Sequence, residues 1–258
     1  MTEALQIETK DSVRYVTLNR PDRHNAFDDG LIRELTAAFQ AVEDCRAVVL
    51  QSTGKSFSAG GDLAWMKRMA GNSAAANLAD AKELSGLMEA IDTCPRPVIA
   101  VVQGAAYGGG VGLVACCDLV VASESAGFCL SEVKLGLIPA AIGPFVVRAM
   151  GGRAARRYSI TAEVFTAATA LAAGLVHEVV PADRLAEIRD AWLARLLANG
   201  PKAMAAAKAL VRRVADDPLD DSLRDWTAAR IADIRASDEG REGVAAFLDK
   251  RKPSWVEG

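Results

Sequence analysis

Residues 97–118 read PVIAVVQGAAYGGGVGLVACCD, and this stretch decides the fold. It opens with an unbroken apolar run, which is typical of a strand that is covered on both faces. Three consecutive glycines, at 108–110, then form a loop, and the apolar residues after them predict a short helix. A buried strand, a glycine loop and a helix N-terminus aim backbone N–H groups at one point, which favours negative charge. The stretch therefore predicts a site that stabilises an anion.

Outward from this stretch, strands alternate with helices. Residues 5–10 and 13–18 predict a hairpin, and apolar runs at 47–50, 119–122, 128–133 and 175–180 predict further strands. Helical spacing predicts helices near 31–42, over 73–93 and over 143–171. Helices dominate after residue 181. We therefore predict an α/β fold with a core over residues 1–200 and a helical region over residues 201–258.

Composition narrows the function and the location. The chain has 258 residues, of which 51% are hydrophobic and 24% charged, and its net charge of −3 argues against nucleic acid as a partner. No apolar run approaches the ~18 residues of a membrane span, so we expect no membrane partner. The first residues lack the layout of a signal peptide, which predicts a cytoplasmic location. Five scattered cysteines argue against a disulfide framework.

Several chemistries find no support in the motifs. The segment GVGLVA at 110–115 matches the dinucleotide pattern G-x-G-x-x-A, but its first glycine lies too far beyond the strand for a pyrophosphate to meet the helix N-terminus. The two histidines, His24 and His177, are far apart and lack paired ligand spacing, so we predict no metal site. A nucleophile elbow and a P-loop are both absent from the sequence.

Two loops of small residues, at 58–62 and 107–110, each follow a predicted strand. Together such loops can direct two backbone N–H groups at one oxygen, because no large side chain blocks its approach. This is the requirement for an oxyanion hole around a thioester carbonyl. Loss of one such donor typically costs about 2.7–4 kcal/mol of transition-state stabilisation. Either loop taken alone is more simply explained as an ordinary tight turn.

Short motifs extend this pattern along the chain: LNRP at 18–21, NA at 25–26, FSAGGD at 57–62, GAAYGGG at 104–110, CD at 117–118, SEVKLGLIP at 131–139, AAGLV at 172–176 and FLDKR at 247–251. In this order they resemble the crotonase (enoyl-CoA hydratase/isomerase) superfamily over essentially the whole chain. The resemblance implies a spiral of β-β-α turns and a C-terminal helical region that builds trimers, often paired as hexamers. It also implies an acyl-CoA substrate, with coenzyme A as part of that substrate and no further cofactor.

The same resemblance implies roles for particular residues. The N–H groups of Ala59 and Gly109 would hold the thioester oxygen as it becomes an enolate. Phe247 and Lys250 match positions that reach the coenzyme A of a neighbouring subunit, where Lys250 suits a phosphate. The residues that match the coenzyme A channel are Arg23, Asn25, Ala26, Ser58, Gly60, Gly61, Asp62 and Leu63.

Hydratases of the superfamily use two glutamates, and this chain has one of them. Glu132 precedes the Leu-Gly-x-x-Pro turn as expected, but the other position is Gly112, which carries no side chain. With two carboxylates, one can activate water while the other delivers a proton to carbon. A single carboxylate more naturally moves a proton between two carbons of one substrate. The glycine at position 112 therefore leaves two alternative functions open. The chain can be a Δ3-Δ2 enoyl-CoA isomerase or a non-catalytic acyl-CoA-binding protein.

Three segments favour hydration: DLAWMKRMA at 62–70, GVGLVACCD at 110–118 and CLSEVKLGLIP at 129–139. They resemble the bacterial branch that hydrates methylglutaconyl-CoA in leucine breakdown, or its isohexenyl relative. Substrates of that branch carry a second carboxylate, which we expect to help orient the water. Lys67, Arg68 and Arg148 are candidate partners for it. The reaction that the resemblance favours is addition of water to a 2-enoyl-CoA with Glu132 as the acid and base.

Overall fold

The computed structural model describes residues 3–256, which form two β-sheets and the helices around them. The strands are β1 (Leu5–Lys10), β2 (Val13–Leu18), β3 (Ala47–Ser52), β4 (Ser56–Ser58), β5 (Val98–Val102), β6 (Ala105–Tyr107), β7 (Leu119–Ser123), β8 (Gly127–Cys129), β9 (Phe165–Thr166) and β10 (Glu178–Val180). The larger sheet has the order β1-β2-β3-β5-β7-β10, and the smaller one has the order β4-β6-β8-β9.

Several of the α-helices begin at a polar side chain that caps the helix N-terminus. Asp28 accepts a hydrogen bond from the Leu31 N–H at the start of α1, and Ser73 caps α3 through the Ala76 N–H. The helices are α1 (Asp29–Gln40), α2 (Leu63–Met69), α3 (Ala74–Asp92), α4 (Gly109–Ala115), α5 (Gly143–Thr161), α6 (Ala167–Ala172), α7 (Leu185–Leu197), α8 (Pro201–Asp216), α9 (Asp221–Ala236) and α10 (Asp238–Leu248).

Successive turns of chain send one strand to each sheet. The pairs β3–β4, β5–β6 and β7–β8 each place their first strand in the larger sheet and their second in the smaller one. Within each sheet these strands pair in parallel. This arrangement is the spiral of β-β-α turns, and it confirms the predicted α/β fold. Because parallel strands end at the same edge, the loops after β4, β6 and β8 lie side by side.

Several predicted elements differ from the structure. The helical segments predicted over 143–171 are α5 and α6, and the short strand β9, which was not predicted, lies between them. Gly151 also breaks α5 with φ of 76° and ψ of 149°. The strand predicted over 128–133 ends at Cys129, and residues Glu132–Leu135 form a 3-10 turn instead. That turn sets the position of Glu132.

The C-terminal helices are tied to the rest of the chain by polar contacts. Lys208 on α8 forms a salt bridge with Asp118 at 2.7 Å, and Arg46 donates to the carbonyl oxygens of Asn199 and Trp255. Helix α10 packs against α8 and α9. The boundary at residue 200 and the role of residues 201–258 in trimer formation stay predictions, and residues 257–258 lie outside the described part. Among the helices within 3–256, none is long and apolar enough to cross a membrane.

Candidate active site

Three loops meet at one edge of the smaller sheet. Strand β6 pairs with β4 on one side, where Ala106 lies opposite Ser58, and with β8 on the other, where Tyr107 lies opposite Cys129. The chain leaves these strands into residues 59–62, residues 108–110 and the turn that holds Glu132. The two small-residue loops and Glu132, which the sequence predicts to act together, are therefore neighbours in space.

The glycines of these loops permit a close approach of backbone to backbone. A Cβ on Gly60 would lie 2.7 Å from the carbonyl oxygen of Tyr107, and one on Gly110 would lie 2.5 Å from that of Ser58. A Cβ on Gly109 would lie only 2.4 Å from Cζ of Phe27. Contacts this short exclude any side chain. The glycine run is therefore needed for the two loops to pack against each other and against the Phe27 ring.

Gly109 is the first residue of α4, and its N–H has no hydrogen-bond acceptor among residues 3–256. Gly108 before it has φ of 50° and ψ of −121°, a conformation that requires glycine. An N–H left without a partner in the first turn of a helix attracts negative charge. The geometry suits the predicted role of Gly109 as an oxyanion donor.

Ala59, the second predicted donor, has a different environment. Its N–H donates to the carbonyl oxygen of His24 at 2.9 Å, although the residue itself is exposed. His24 and Asn25 both have positive φ, of 52° and 53°, and this turn brings the His24 carbonyl to the loop. The Ala59 N–H therefore already has an acceptor within the protein. Its role as an oxyanion donor stays a prediction that requires the His24 carbonyl to share or release the N–H.

Glu132 lies against the start of the glycine run. Its Oε1 would be 3.2 Å from a Cβ on Gly108, and its Oε2 is buried with no hydrogen-bond partner among residues 3–256. Burial raises the pKa of this carboxyl, since the charged form is poorly solvated there. A carboxyl with a raised pKa can both accept and return a proton under mild conditions. Such a group, against the residue that precedes the Gly109 N–H, suits chemistry next to a thioester carbonyl.

The position of the missing glutamate is filled rather than vacant. A Cβ on Gly112 would lie 2.3 Å from Cγ2 and 2.8 Å from Cβ of Ile142, with Sδ of Met88 at 3.1 Å. Ile142 is 2% exposed. The wild-type packing therefore leaves no room for any side chain at position 112, and a single Gly112→Glu substitution cannot test the role of a second carboxylate.

Two residues predicted to bind coenzyme A have their side chains engaged within the protein. Asn25 is fully buried, accepts a hydrogen bond from the Arg20 N–H, and donates to the carbonyl oxygens of Thr53 and Ser56. Ser58 donates to the carbonyl oxygen of Asn25. These side chains join the segment around Asn25 to residues 53–58. Any contact of Asn25 or Ser58 with coenzyme A is therefore made by backbone atoms.

Asp62 is similarly engaged. It caps α2 by accepting from the N–H groups of Ala64 and Trp65, and its Oδ2 lies 3.2 Å from Nη1 of Arg23. Burial alone would raise the pKa of Asp62, but the hydrogen bonds from Trp65, Ala64 and Arg23 outweigh it and the pKa is lowered. Asp62 therefore fixes the start of α2 and orients Arg23.

The other predicted coenzyme A residues differ in exposure. Ala26 is buried, whereas Leu63 is 83% exposed beside the loop that contains Gly60 and Gly61. Phe247 is also 83% exposed, at the end of α10, and Lys250 follows it with φ of 52°. The contacts of all these residues with coenzyme A stay predictions.

The three cationic candidates for a substrate carboxylate have different surroundings. Arg148 places its two terminal nitrogens on Asp92 and Asp216, at 3.2 and 2.9 Å. Arg68 forms a salt bridge with Asp29 at 2.8 Å. Lys67 is exposed on α2. Carboxylates of the protein already hold both arginines, whereas Lys67 forms no ion pair among residues 3–256.

Two residues of the site carry no signal that sequence analysis could use. Phe27 and Ile142 are ordinary apolar residues, and their importance lies in the glycines that they contact, Gly109 and Gly112. Among residues 3–256, no group of three or more His, Cys, Asp or Glu side chains is arranged to hold a metal ion.

Comparisons with known proteins find similar chains over nearly the whole length of this one. A family model described as enoyl-CoA hydratase/isomerase matches residues 8–258. A solved enoyl-CoA hydratase from Shewanella pealeana superposes with a TM-score of 0.94 at 46% identity, covering 98% of this chain and 96% of that one. An enoyl-CoA hydratase of Alternaria alternata is 38% identical, over 93% of this chain and 80% of the relative. The 2,3-dehydroadipyl-CoA hydratase of Escherichia coli is 32% identical, over 97% of this chain and 98% of the relative.

Proposed function

Because this chain belongs to the enoyl-CoA hydratase/isomerase family of the crotonase superfamily, we propose that it is a hydro-lyase that adds water to a 2-enoyl-CoA thioester. One observation carries the proposal. Among residues 3–256, neither the buried Oε2 of Glu132 nor the N–H of Gly109 has a hydrogen-bond partner, and the Glu132 carboxyl lies against Gly108, the residue that precedes this N–H. A proton-transfer group and an oxyanion donor are thus held next to each other, as enolate chemistry requires.

The reaction follows from these two groups. The thioester oxygen accepts a hydrogen bond from the Gly109 N–H, with Ala59 as the proposed second donor. Glu132 removes a proton from water as the water oxygen bonds to the β-carbon, and the π electrons move onto the thioester oxygen to give an enolate. Glu132 then returns the proton to the α-carbon. One carboxyl serves as base and then as acid, and its raised pKa suits both steps.

We further propose that the acyl group carries a carboxylate of its own, as methylglutaconyl-CoA does. The three segments that resemble the glutaconyl branch support this substrate, and so does the absence of a carboxylate at Gly112. A relative at 32% identity is named for 2,3-dehydroadipyl-CoA, a thioester of a dicarboxylic acid. The water that Glu132 activates would be oriented by the substrate's second carboxylate.

A Δ3-Δ2 enoyl-CoA isomerase is the second candidate, because Ile142 fills the space that a second catalytic carboxyl at position 112 would need. A panel of methylglutaconyl-CoA, crotonyl-CoA and a 3-enoyl-CoA separates the candidates when products are identified by mass. Hydration adds one water to the mass and is lost in Glu132→Gln. A shift of the double bond without a change in mass would support the isomerase, and tight binding without any product would indicate a binding protein.

We propose that the protein acts in the cytoplasm as a homotrimer or a hexamer built from two trimers, and without a cofactor. Exposed Phe247 and Lys250 support a site that is completed by a neighbouring subunit. Lys250→Ala tests this arrangement. It should raise KM for the acyl-CoA while leaving KM for the same acyl group on a short pantetheine thioester unchanged.

A further inference from the structure

The turn that holds Glu132 carries a second polar side chain, that of Ser131. Cys129 ends β8, and its carbonyl oxygen accepts a hydrogen bond of 2.8 Å from the Gly108 N–H. Two residues later the chain reaches the serine. A Cβ on Gly108 would lie 3.2 Å from Oε1 of Glu132 and 3.7 Å from Oγ of Ser131. The carboxyl and the hydroxyl therefore face the same point of the glycine run, one residue before the Gly109 N–H.

The hydroxyl of Ser131 is not used by the fold. Ser131 is the N-cap of the 3-10 turn Glu132–Leu135, a position where a serine side chain commonly accepts a hydrogen bond from a backbone N–H. Here the carbonyl oxygen of Ser131 accepts from the Lys134 N–H, and the side chain makes no capping bond. Within residues 3–256 no other group bonds to Oγ, and the residue is half-buried. The hydroxyl is therefore available to a molecule that enters beside Glu132.

We propose that Ser131 is a catalytic residue, whose hydroxyl holds the attacking water beside Glu132. A water molecule has two hydrogens and two lone pairs. In the proposed reaction one hydrogen goes to Glu132 and the other points at the second carboxylate of the substrate. The Ser131 O–H donates to one lone pair of the water oxygen, so the other lone pair is the one that bonds to the β-carbon. Holding a reactant in its attacking orientation removes part of the entropic barrier.

The protons balance with a single carboxyl. Glu132 takes one proton from the water and returns it to the α-carbon, the remaining O–H becomes the hydroxyl of the product, and Ser131 keeps its own proton. A second contact of the protein with the water is thus supplied without a side chain at position 112, where Ile142 leaves no room for one. This inference rests on the proposed hydration and adds a residue to it.

The test compares Ser131→Ala, which removes the hydroxyl, with Ser131→Thr, which keeps it. The substrate is the enoyl thioester that the wild type hydrates fastest. In Ser131→Ala, kcat should fall about tenfold, which corresponds to about 1.4 kcal/mol, while KM and Tm stay unchanged. Ser131→Thr should retain most of the activity. An unchanged kcat in Ser131→Ala, or an equal loss in Ser131→Thr, would overturn the inference alone.

A second reaction separates contact with water from support of Glu132. Exchange of an α-proton of a saturated acyl-CoA in deuterium oxide needs Glu132 and the Gly109 N–H but no attacking water. Ser131→Ala should exchange this proton at the wild-type rate, and Glu132→Gln should not exchange it. Parallel losses of exchange and hydration in Ser131→Ala would show that Ser131 acts through Glu132, which overturns the inference. Failure of the wild type to hydrate any enoyl thioester would instead overturn the proposed function and this inference with it.

Discussion

Replacing Glu132 by glutamine should abolish most of the activity and at the same time stabilise the protein. The side chain keeps its size but loses its charge and its ability to transfer a proton. General acid–base catalysis typically contributes 10²–10⁴-fold. Since Glu132 is the proposed acid and base, we expect kcat to fall by at least about 100-fold, which corresponds to about 2.7 kcal/mol of activation free energy.

The expected gain in stability follows from the burial of the carboxyl. Its pKa is raised in the folded protein above the ordinary 4.5, so the folded state binds more protons than the unfolded state above that pH. The free energy of unfolding therefore falls as pH rises from 4.5 through the raised pKa. Leaving a buried polar group unpartnered typically costs about 1–3 kcal/mol. Glutamine removes only the part of this cost that is due to the charge, which we take as about 1 kcal/mol. For a chain of this size, that gain corresponds to a rise in Tm of about 2–4 °C.

Both effects can be measured on one set of proteins. Hydration is followed by loss of the enoyl thioester absorbance, and thermal unfolding is recorded at pH 4.5 and 7.5, with the exposed Glu124→Gln as the control. Glu132→Gln should exceed the wild type in Tm at pH 7.5 and match it at pH 4.5, and Glu124→Gln should match it at both. The wild-type rate should rise with pH through the raised pKa. Full activity of Glu132→Gln would refute the catalytic role of Glu132. If Glu132→Gln and the wild type had the same Tm at pH 4.5 and also at pH 7.5, the electrostatic account of the gain in stability would be refuted.

Three further predictions concern the packing, a helix cap and an ion pair. Gly109→Ala sets a Cβ against the Phe27 ring and should cost about 1–3 kcal/mol in chemical denaturation, a loss that Phe27→Leu should partly reverse. Asp62→Ala removes a helix cap and should cost about 0.5–2 kcal/mol at pH 7. Because the pKa of Asp62 is lowered, that difference should shrink as pH falls below 3.8, and a difference independent of pH would contradict its ionic role. Lys208→Met leaves Asp118 without its counter-charge, and because burial already raises the pKa of Asp118, the loss of stability should be larger at pH 8 than at pH 5. Equal denaturation midpoints for Lys208→Met and wild type at pH 8 would exclude a stabilising role for this pair.

Long elements were predictable because hydrophobic periodicity marks them. The hairpin strands occupy the predicted 5–10 and 13–18, and α3 differs from the predicted helix only by its two cap residues. The smaller sheet was not predictable to the same degree. Strands β4, β6 and β9 have three residues or fewer, too short for any alternation to appear, and they exist because neighbouring strands satisfy their backbone hydrogen bonds.

The candidate site divides in the same way. The residue types at Gly109 and Glu132, and the missing side chain at Gly112, are visible in the sequence. The sequence does not show that the Ala59 N–H donates to the His24 carbonyl, or that Ile142 lies against Gly112. Both contacts join segments that are distant along the chain.

By itself, then, the sequence determined the α/β fold, the two small-residue loops and the presence of Glu132 without a second glutamate at position 112. These features depend on local pattern and residue type. Tertiary structure alone decided that Oε2 of Glu132 is buried without a hydrogen-bond partner among residues 3–256, that the Ala59 N–H donates to His24, and that Ile142 fills the space beside Gly112. The physical reason is that burial, pKa and excluded volume are properties of the surroundings, and residues far apart along the chain create those surroundings.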